Sequence, residues 1–261
     1  MSRVCVFRQG EREGERARKG ARKKRGEETE EEKNSPPPKK KTRDFLKNIP
    51  QWEPSAGKPG LSDLYLKTMD RIAPLCPSCL FFVEGTGQSN ARANWGDGFI
   101  TDEDFIRENG KISSAKPFFD KLVEKPYISQ VVLSPHIYCP SSSKASDGFA
   151  GAELFERLDR SFGEKTAGKG YCNPDGTCHK FAVVVGETSN NFYSGGAKEK
   201  QCWDSVVEYV KTGPVGGKGK FSGWYYWGWN SNSADTGGIV SSANPRDIDW
   251  QKVDSLRGLG F

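Results

Sequence analysis

The sequence predicts an α/β fold built around a parallel β-sheet. Two observations support this: short apolar runs that predict buried strands, and intervening segments that carry apolar residues at helical spacing. Strands that alternate with helices in this way are typical of βαβ units, in which helices cover a parallel sheet. The chain contains four such predicted strands, at residues 80–83, 130–133, 181–187 and 223–229.

The predicted strand 181–187 is the one around which the rest of the chain is organised. It contains three consecutive Val residues and ends on Gly186 and Glu187, after which the sequence continues as Thr-Ser-Asn-Asn. In parallel α/β barrels the reactive residues lie at the carboxyl ends of the strands, where the loops begin. Glu187 is therefore predicted to be a nucleophile or a general base. The alternative is that it is simply the first solvated residue of a loop.

The segments between the strands predict helices. Residues 61–72 carry apolar side chains at helical spacing, with Ser62 as a candidate N-cap. Further helices are predicted at residues 117–124, 151–162, 198–210 and 249–257. Four strand–helix units make half of an eight-stranded barrel, which takes roughly 250 residues. The sequence thus predicts either an open α/β sheet or a barrel whose first half is not in this chain.

Residues 1–44 differ in composition from the remaining chain. They hold 15 Lys and Arg against 9 Asp and Glu, a net charge of +6, whereas residues 45–261 carry a net charge of −1. A segment this polar buries too little apolar surface to fold alone, so we predict a disordered tail followed by one domain at 45–261. The alternative is a basic arm that binds nucleic acid or an anionic surface. The domain itself has no basic footprint, so we expect no nucleic-acid partner.

Other classes of protein are disfavoured by composition. No stretch approaches the length of a transmembrane helix, so we expect no membrane partner. The first residues have no sustained apolar run and do not form a signal peptide as they stand, which leaves the location unknown from this pattern. With only two His residues in the chain, we expect neither a metal site nor a cofactor.

The seven Cys residues are too few for a disulfide-based fold of this size. Cys172 and Cys178 flank the turn-rich stretch Asn-Pro-Asp-Gly-Thr, so a local disulfide is predicted there if the compartment is oxidising. Cys76 and Cys79 have C-x-x-C spacing, but the sequence offers neither a second pair at zinc spacing nor a thioredoxin-like context.

All four predicted strands lead into side chains that are capable of chemistry. These are Glu84 after the first strand, His136 and Tyr138 after the second, Glu187 after the third, and Trp227, Trp229 and Asn230 after the fourth. Together they suit glycoside hydrolysis, in which one carboxylate attacks the anomeric carbon and another carboxyl group protonates the leaving oxygen. A Trp ring offers a flat apolar surface to the CH-rich face of a pyranose.

Five stretches of residues 45–261 resemble the second half of glycoside hydrolase family 5 enzymes, in their cellulase branch. They are LFFVEGTGQ at 80–88, NWGDG at 94–98, SPHIY at 134–138, VVGE at 184–187 and WGWNSNSADTGG at 227–238. Each is a weak signal alone, but they occur in the family's order and at fitting spacing. The resemblance implies a partial TIM (β/α)8 barrel that comprises about strands five to eight with their helices, preceded by the disordered N-terminal tail.

The resemblance also implies a role for each matching residue. Glu187 matches the catalytic nucleophile, and Tyr138 would hydrogen-bond it and keep it oriented and ionised. His136, the third predicted catalytic residue, would contact the substrate or the acid/base. Trp227 matches a stacking platform at the end of the eighth strand, and Trp95 matches a loop aromatic that lines the cleft.

Glu84 and Asn230 complete the predicted substrate-binding set. For Glu84 the anchoring of a loop is the favoured alternative. Trp224 and Trp229 are predicted to pack inside the fold rather than to bind substrate, because Trp is on average a well-buried residue.

The sequence departs from the family at the acid/base Glu, which the family carries in an Asn-Glu-Pro motif at the end of its fourth strand. No Asn-Glu-Pro occurs in the 261 residues, and Glu53, which precedes Pro54, follows Trp52 instead of Asn. The first three strands of the family are also not found, and residues 1–44 are predicted to contain no strand. Loss of a general acid typically costs about 10²–10⁴-fold in rate, so we expect the activity of this chain to be impaired.

The resemblance implies a retaining glycoside hydrolase that acts on β-1,4-glucan, with a β-mannan or another β-glucan as the nearest rival substrate. The alternative function is that of a non-catalytic glycan-binding remnant that uses Trp95 and Trp227. The expected partner is thus a polysaccharide, and a monomer is the expected state. Members of the family are mostly secreted, so the resemblance implies an extracellular location.

Overall fold

The computed structural model describes residues 4–7, 51–55, 57, 59–87, 96–109, 113–145, 147–231 and 235–260. Trp95 and residues 8–50 lie outside the described residues. The predicted loop aromatic and most of the predicted disordered tail therefore remain predictions.

The described residues form an α/β fold with a parallel sheet, as the alternation of strands and helices predicted. Its strands are β1 (Val4–Phe7), β2 (Leu80–Val83), β3 (Val131–Leu133), β4 (His136–Tyr138), β7 (Ala182–Ser189) and β8 (Gly223–Tyr226). They pair in the order β1-β2-β3-β7-β4, and β8 also pairs with β7. Every one of these pairings is parallel. A separate antiparallel pair joins β5 (Tyr171–Cys172) to β6 (Cys178–His179).

β3 and β4 are two parts of one strand path beside β7. The Ser134-Pro135 step separates them, and the Gly186 amide of β7 donates a hydrogen bond to the Pro135 carbonyl across that gap, at 2.8 Å. The sheet therefore has β7 at its centre, with the β3–β4 path on one side and β8 on the other. Among the described strands the sheet is open, because β1 pairs with β2 alone and β8 with β7 alone.

β1 overturns one prediction. Residues 1–44 were predicted to contain no strand, yet Val4–Phe7 pairs in register with Leu80–Val83, from Val4 opposite Leu80 to Phe7 opposite Val83. The segment Val-Cys-Val-Phe has the residue types that favour strands. Four residues beside a long charged stretch are too few for a local pattern to predict, and this strand forms through pairing with a segment more than 70 residues away.

Five of the described helices lie close to predicted positions. The helices are α1 (Leu61–Ile72), α2 (Glu103–Asn109), α3 (Lys116–Leu122), α4 (Pro140–Ser143), α5 (Gly151–Ser161), α6 (Phe192–Thr212, interrupted at Gly196), α7 (Pro214–Gly217) and α8 (Trp250–Leu256). The predicted N-cap of α1 was wrong: Gly60 is the N-cap residue, and Ser62 is a buried residue of the first turn. α2, α4 and α7 were not predicted. α2 has no fully buried side chain, although Phe105 and Ile106 pack against Ile100. α4 and α7 have only four residues each.

The main core lies between the sheet and its helices and is rich in aromatic rings beside β2. Trp52, Phe118 and Tyr65 are almost completely buried, and the Trp52 and Phe118 rings stack with centroids 4.8 Å apart. Trp52 also donates from Nε1 to the Gly98 carbonyl at 2.8 Å, which ties this core to the loop that follows β2. The packing therefore fixes the loop that carries Glu84.

Three disulfides cross-link the described residues. The predicted bond between Cys172 and Cys178 is confirmed. The C-x-x-C pair is a second disulfide, Cys76–Cys79. The third, Cys139–Cys202, was not predicted; it joins the residue that follows β4 to α6 across 63 positions of the chain.

Within the described ranges, none of the helices combines the length and apolar character that crossing a bilayer requires. The same part of the chain holds no group of three His, Cys, Asp or Glu residues arranged to bind a metal ion.

Candidate active site

The site lies at the carboxyl ends of β4 and β7, which are neighbours in the sheet. Their parallel register places His136 opposite Glu187 and Tyr138 opposite Ser189. His136 and Tyr138 are two positions apart on one strand, so both side chains leave the same face of the sheet. Sequence reasoning placed Glu187 at the end of its strand, whereas β7 continues two residues further, to Ser189.

Two neighbouring side chains contact the same carboxylate oxygen of Glu187. Tyr138 donates from Oη to Glu187 Oε2 at 2.7 Å, and His136 Nδ1 lies 3.3 Å from the same oxygen. The side chain of Glu187 is only 13% exposed. A hydrogen-bond donor and an imidazole nitrogen therefore hold the carboxylate in one orientation at the carboxyl end of the sheet. A carboxylate that acts as a nucleophile needs such a fixed orientation.

Glu84, the first residue after β2, approaches the same nitrogen of this imidazole. Its Oε1 lies 3.6 Å from His136 Nδ1, and its side chain is 12% exposed. The structure thus brings together Glu84, His136, Tyr138 and Glu187 from three different strands. Glu84 was predicted to bind substrate or to anchor a loop; both roles stay predictions, and the structure adds the contact with His136.

Two glycines allow these side chains to approach each other. A Cβ atom on Gly186 would overlap the Ser134 hydroxyl and would lie 3.2 Å from His136 Cδ2, so a larger residue would displace the imidazole. Gly96 has a φ of +105°, and a Cβ there would lie 2.5 Å from both Cγ and Oε1 of Glu84. Both glycines lie in stretches that match the family, but no role was predicted for either of them. The residues that they contact are distant in the sequence.

The backbone of Glu84 is fixed by hydrogen bonds on either side of it. Tyr65 donates from Oη to the Glu84 carbonyl at 2.9 Å, and the Gly85 amide donates to the Gly96 carbonyl at 2.8 Å. Burial, and to a smaller extent the charge of Glu84, raises the pKa of Tyr65 above its ordinary value. Tyr65 therefore keeps its proton and remains a donor across the working pH range.

Aromatic residues follow β8 at the same edge of the sheet. The Trp227 amide donates to the Thr188 carbonyl at 2.8 Å, so the backbone of Trp227 lies beside the residue that follows Glu187. The Trp227 side chain is 40% exposed. This position is compatible with the predicted stacking platform. The predicted strand ran to Trp229, but β8 ends at Tyr226, and the peptide bond between Trp227 and Gly228 is cis.

Of the two other Trp residues in this segment, one agrees with its prediction and one does not. Trp224 is partly buried and donates from Nε1 to the Leu259 carbonyl at 3.1 Å, in agreement with a packing role. Trp229 is 57% exposed, so the prediction that it packs inside the fold was wrong. Asn230, which follows it, is also exposed. Two hydrogen bonds hold the chain around Trp229. The Ile239 amide donates to the Gly228 carbonyl, and the Val240 amide donates to the Trp229 carbonyl.

Comparison with known proteins finds no matching family model. A curated relative, the major extracellular endoglucanase of Xanthomonas campestris pv. campestris, is 28% identical over 218 residues, which cover 80% of this chain and 37% of the relative. The solved catalytic domain of the major endoglucanase from that organism has a TM-score of 0.54 at 22% identity, over 81% of this chain and 53% of that one. The endocellulase of Pyrococcus horikoshii in complex with cellotetraose has a TM-score of 0.54 at 22% identity, over 80% of this chain and 51% of that one.

The chain thus spans about half of each of these solved structures and 37% of the curated relative. The structural likeness establishes that the α/β fold resembles that of cellulase catalytic domains. The sequence match confirms the resemblance to cellulases that the motifs predicted.

Proposed function

We propose that this chain carries the nucleophile side of a retaining β-glycosidase site that acts on β-1,4-glucan. One observation carries the proposal. Glu187, on the central strand, is held through a single oxygen by Tyr138 at 2.7 Å and His136 at 3.3 Å, at the carboxyl end of a parallel sheet. A carboxylate that is oriented in this way, and only slightly exposed, suits attack on an anomeric carbon.

The proposed chemistry has two steps. Glu187 attacks the anomeric carbon, a bond from its carboxylate oxygen to that carbon forms, and the bond to the leaving oxygen breaks as that oxygen takes a proton from an acid. Water then attacks the same carbon, gives one proton to the base that remains after the first step, and the bond from that carbon to Glu187 breaks. Tyr138 keeps the carboxylate ionised and aimed by donating to Oε2. The proton donor is not assigned to a residue of this chain, which has no Asn-Glu-Pro motif.

The finer features of the fold belong to the same proposal. We infer that β2, the β3–β4 path, β7 and β8 correspond to strands five to eight of a (β/α)8 barrel. Their parallel order and their likeness to half of each cellulase structure support this correspondence. In such a barrel the loops at the carboxyl ends of the strands form the active site, which is where the four site residues meet.

Glucan is the favoured substrate and an extracellular location the favoured site of action. One solved relative is an endocellulase in complex with cellotetraose, and the curated relative is described as extracellular. The exposed ring of Trp227 would support the glucosyl unit beside Glu187. Three disulfides in the described residues suit an oxidising compartment.

A non-catalytic glycan-binding role is the second candidate, and the exposure of aromatic rings favours it. Trp227 and Trp229 present 40% and 57% of their surfaces to solvent. The Glu187→Gln variant separates the two functions, because a lectin-like surface would bind cellotetraose equally well with and without the carboxylate. Any turnover, in contrast, would end with that substitution.

Trapping of the glycosyl intermediate tests the enzymatic proposal. The chain is incubated with 2,4-dinitrophenyl 2-deoxy-2-fluoro-β-cellobioside, whose leaving group departs without a proton. Intact-mass analysis and peptide mapping then locate any adduct. We expect one glycosyl group per chain, on the peptide that contains Glu187.

Glu187→Gln should form no adduct, whereas the matched control Glu156→Gln, at an exposed carboxylate on α5, should react like the wild type. No adduct in the wild-type chain, or an adduct on another residue, would overturn the proposal.

A further inference from the structure

His136 is flanked by two carboxylates at the same ring nitrogen. Nδ1 lies 3.3 Å from Glu187 Oε2 and 3.6 Å from Glu84 Oε1. We propose that Glu84 is a positioning residue, which holds the Nδ1–H group of His136 and through it sets the orientation and charge of Glu187. This inference rests on the proposed function of Glu187 as a nucleophile.

The charges of the three groups define the state of the ring. An imidazole nitrogen that presents a lone pair to two carboxylate oxygens would be repelled by both, so Nδ1 must carry the proton. The side chains of Glu84, His136 and Glu187 are 12%, 9% and 13% exposed, so water screens them little. The shared proton offsets the repulsion between two carboxylates that are separated by a single ring nitrogen.

The surroundings of Glu84 hold its carboxylate beside His136. Its carbonyl accepts from Tyr65 Oη at 2.9 Å, which fixes the backbone. The backbone of Gly96 lies against its side chain, where a Cβ would come within 2.5 Å of Cγ and Oε1. On the far side of the ring, Gly186 lies so close that a Cβ would be 3.2 Å from His136 Cδ2.

The consequence of losing Glu84 follows from the same contacts. The Nδ1–H group of His136 would then interact with Glu187 without competition from Glu84, and it would draw more negative charge from the nucleophile. Glu84 Oε1 lies 3.6 Å from Nδ1, which is longer than a hydrogen bond, so Glu84 acts on His136 through its charge. Each ~1.4 kcal/mol of such an interaction corresponds to a tenfold change in rate. Glu84→Gln is therefore expected to slow the formation of the Glu187 adduct by about 10–100-fold.

The test combines NMR spectroscopy with trapping. The chain has two His residues, so the imidazole N–H and ¹⁵N signals of His136 can be followed with those of His179 as an internal reference. We expect a low-field Nδ1–H proton on His136 in the wild type. In Glu84→Gln that signal should move upfield or be lost to exchange while His179 is unchanged, and the adduct should form more slowly. Glu84→Asp, which keeps the charge, should restore part of the rate.

Folding is checked by thermal unfolding, and Glu156→Gln on α5 serves as the matched loss of a carboxylate. If Glu84→Gln does not fold, Glu84→Asp carries the comparison. An unchanged His136 signal, or a shifted signal with an unchanged adduct rate, would overturn the positioning role. Failure of the wild-type chain to form an adduct would instead overturn the proposed function, and the NMR signals would then decide alone whether Glu84 holds His136.

Discussion

At the scale of single residues, the hydrogen bond from Tyr138 to Glu187 connects the structure most directly to the proposed chemistry. The phenol donates to Oε2 at 2.7 Å, and its strand is the neighbour of the strand that carries the carboxylate. A donor to an ionised carboxylate stabilises the charged form, which is the form that attacks. Other Tyr–carboxylate pairs of the fold, such as Tyr171 with Asp120 at 2.6 Å, have similar geometry away from the site.

We predict that Tyr138→Phe slows the formation of the Glu187 adduct by about 10–100-fold, the range expected when one hydrogen bond to a charged group is lost. The rate is measured with the activated 2-fluoro cellobioside by intact mass against time. Tyr171→Phe is the matched control, since it removes the same type of bond elsewhere and should leave the rate unchanged. Equal rates for Tyr138→Phe and the wild type would show that the phenol does not support the nucleophile.

Sequence alone could name Glu187, Tyr138 and His136 because each lies in or directly after an apolar run, and strand ends collect reactive residues in parallel sheets. It could not predict that Glu84 contacts His136. That contact depends on the register of β2 with β3 and on the close approach of Gly96, which are set by residues far apart in the chain. The exposure of Trp229 was missed for a related reason, because a strand was predicted to continue where the chain turns away after Tyr226.

At the scale of elements, the site depends on how β4 and β7 are held to the helices outside them. Cys139, directly after Tyr138, is bonded to Cys202 of α6, and both Cys residues are 1% exposed. The carboxylate of Glu199, also on α6, accepts from the Ser141 amide at 3.0 Å and from the Asn191 amide at 2.7 Å. One helix therefore fixes the segments that follow β4 and β7, the two strands of the proposed site.

Removal of the Cys139–Cys202 bond by a double Ala substitution should lower the free energy of unfolding by about 4 kcal/mol, since it releases a loop of 63 positions. Removal of Cys172–Cys178, which closes only 6 positions, should cost about 2 kcal/mol. Denaturant unfolding measures both values. The first variant should also form the Glu187 adduct more slowly, and the second should not. Equal adduct rates in the two variants would mean that the disulfide beside Tyr138 stabilises the fold without positioning the site.

The elements themselves were largely predictable, for a physical reason. β2, β3 and β7 are nearly continuous apolar runs because both faces of a central parallel strand are covered, and α1 and α5 show apolar residues on one face. β1 was not predictable, because a run of four residues becomes a strand only by pairing with β2. The Cys139–Cys202 pairing was also not predictable, since spacing along the chain does not determine which Cys residues form a disulfide.

At the scale of the whole molecule, the described sheet is an open parallel layer whose carboxyl end carries the proposed nucleophile, its hydrogen-bond donor and the exposed Trp227. The 261 residues hold no Asn-Glu-Pro motif, so the proposed function gives this chain the attacking side of the reaction without an assigned proton donor. General-acid assistance matters most when the leaving oxygen is strongly basic, and it matters little when the leaving group is stable as an anion. The rate should therefore depend on the leaving group.

We predict that this chain cleaves aryl β-cellobiosides at rates that fall steeply from dinitrophenyl to phenyl leaving groups, and that it acts on cellotetraose at least about 10²-fold more slowly than an enzyme with both carboxyl groups in place. Phenol release followed by absorbance gives the series, and Glu187→Gln, which should be inactive throughout, provides the blank. A flat dependence on the leaving group would contradict the prediction, because it would mean that a residue of this chain donates the proton.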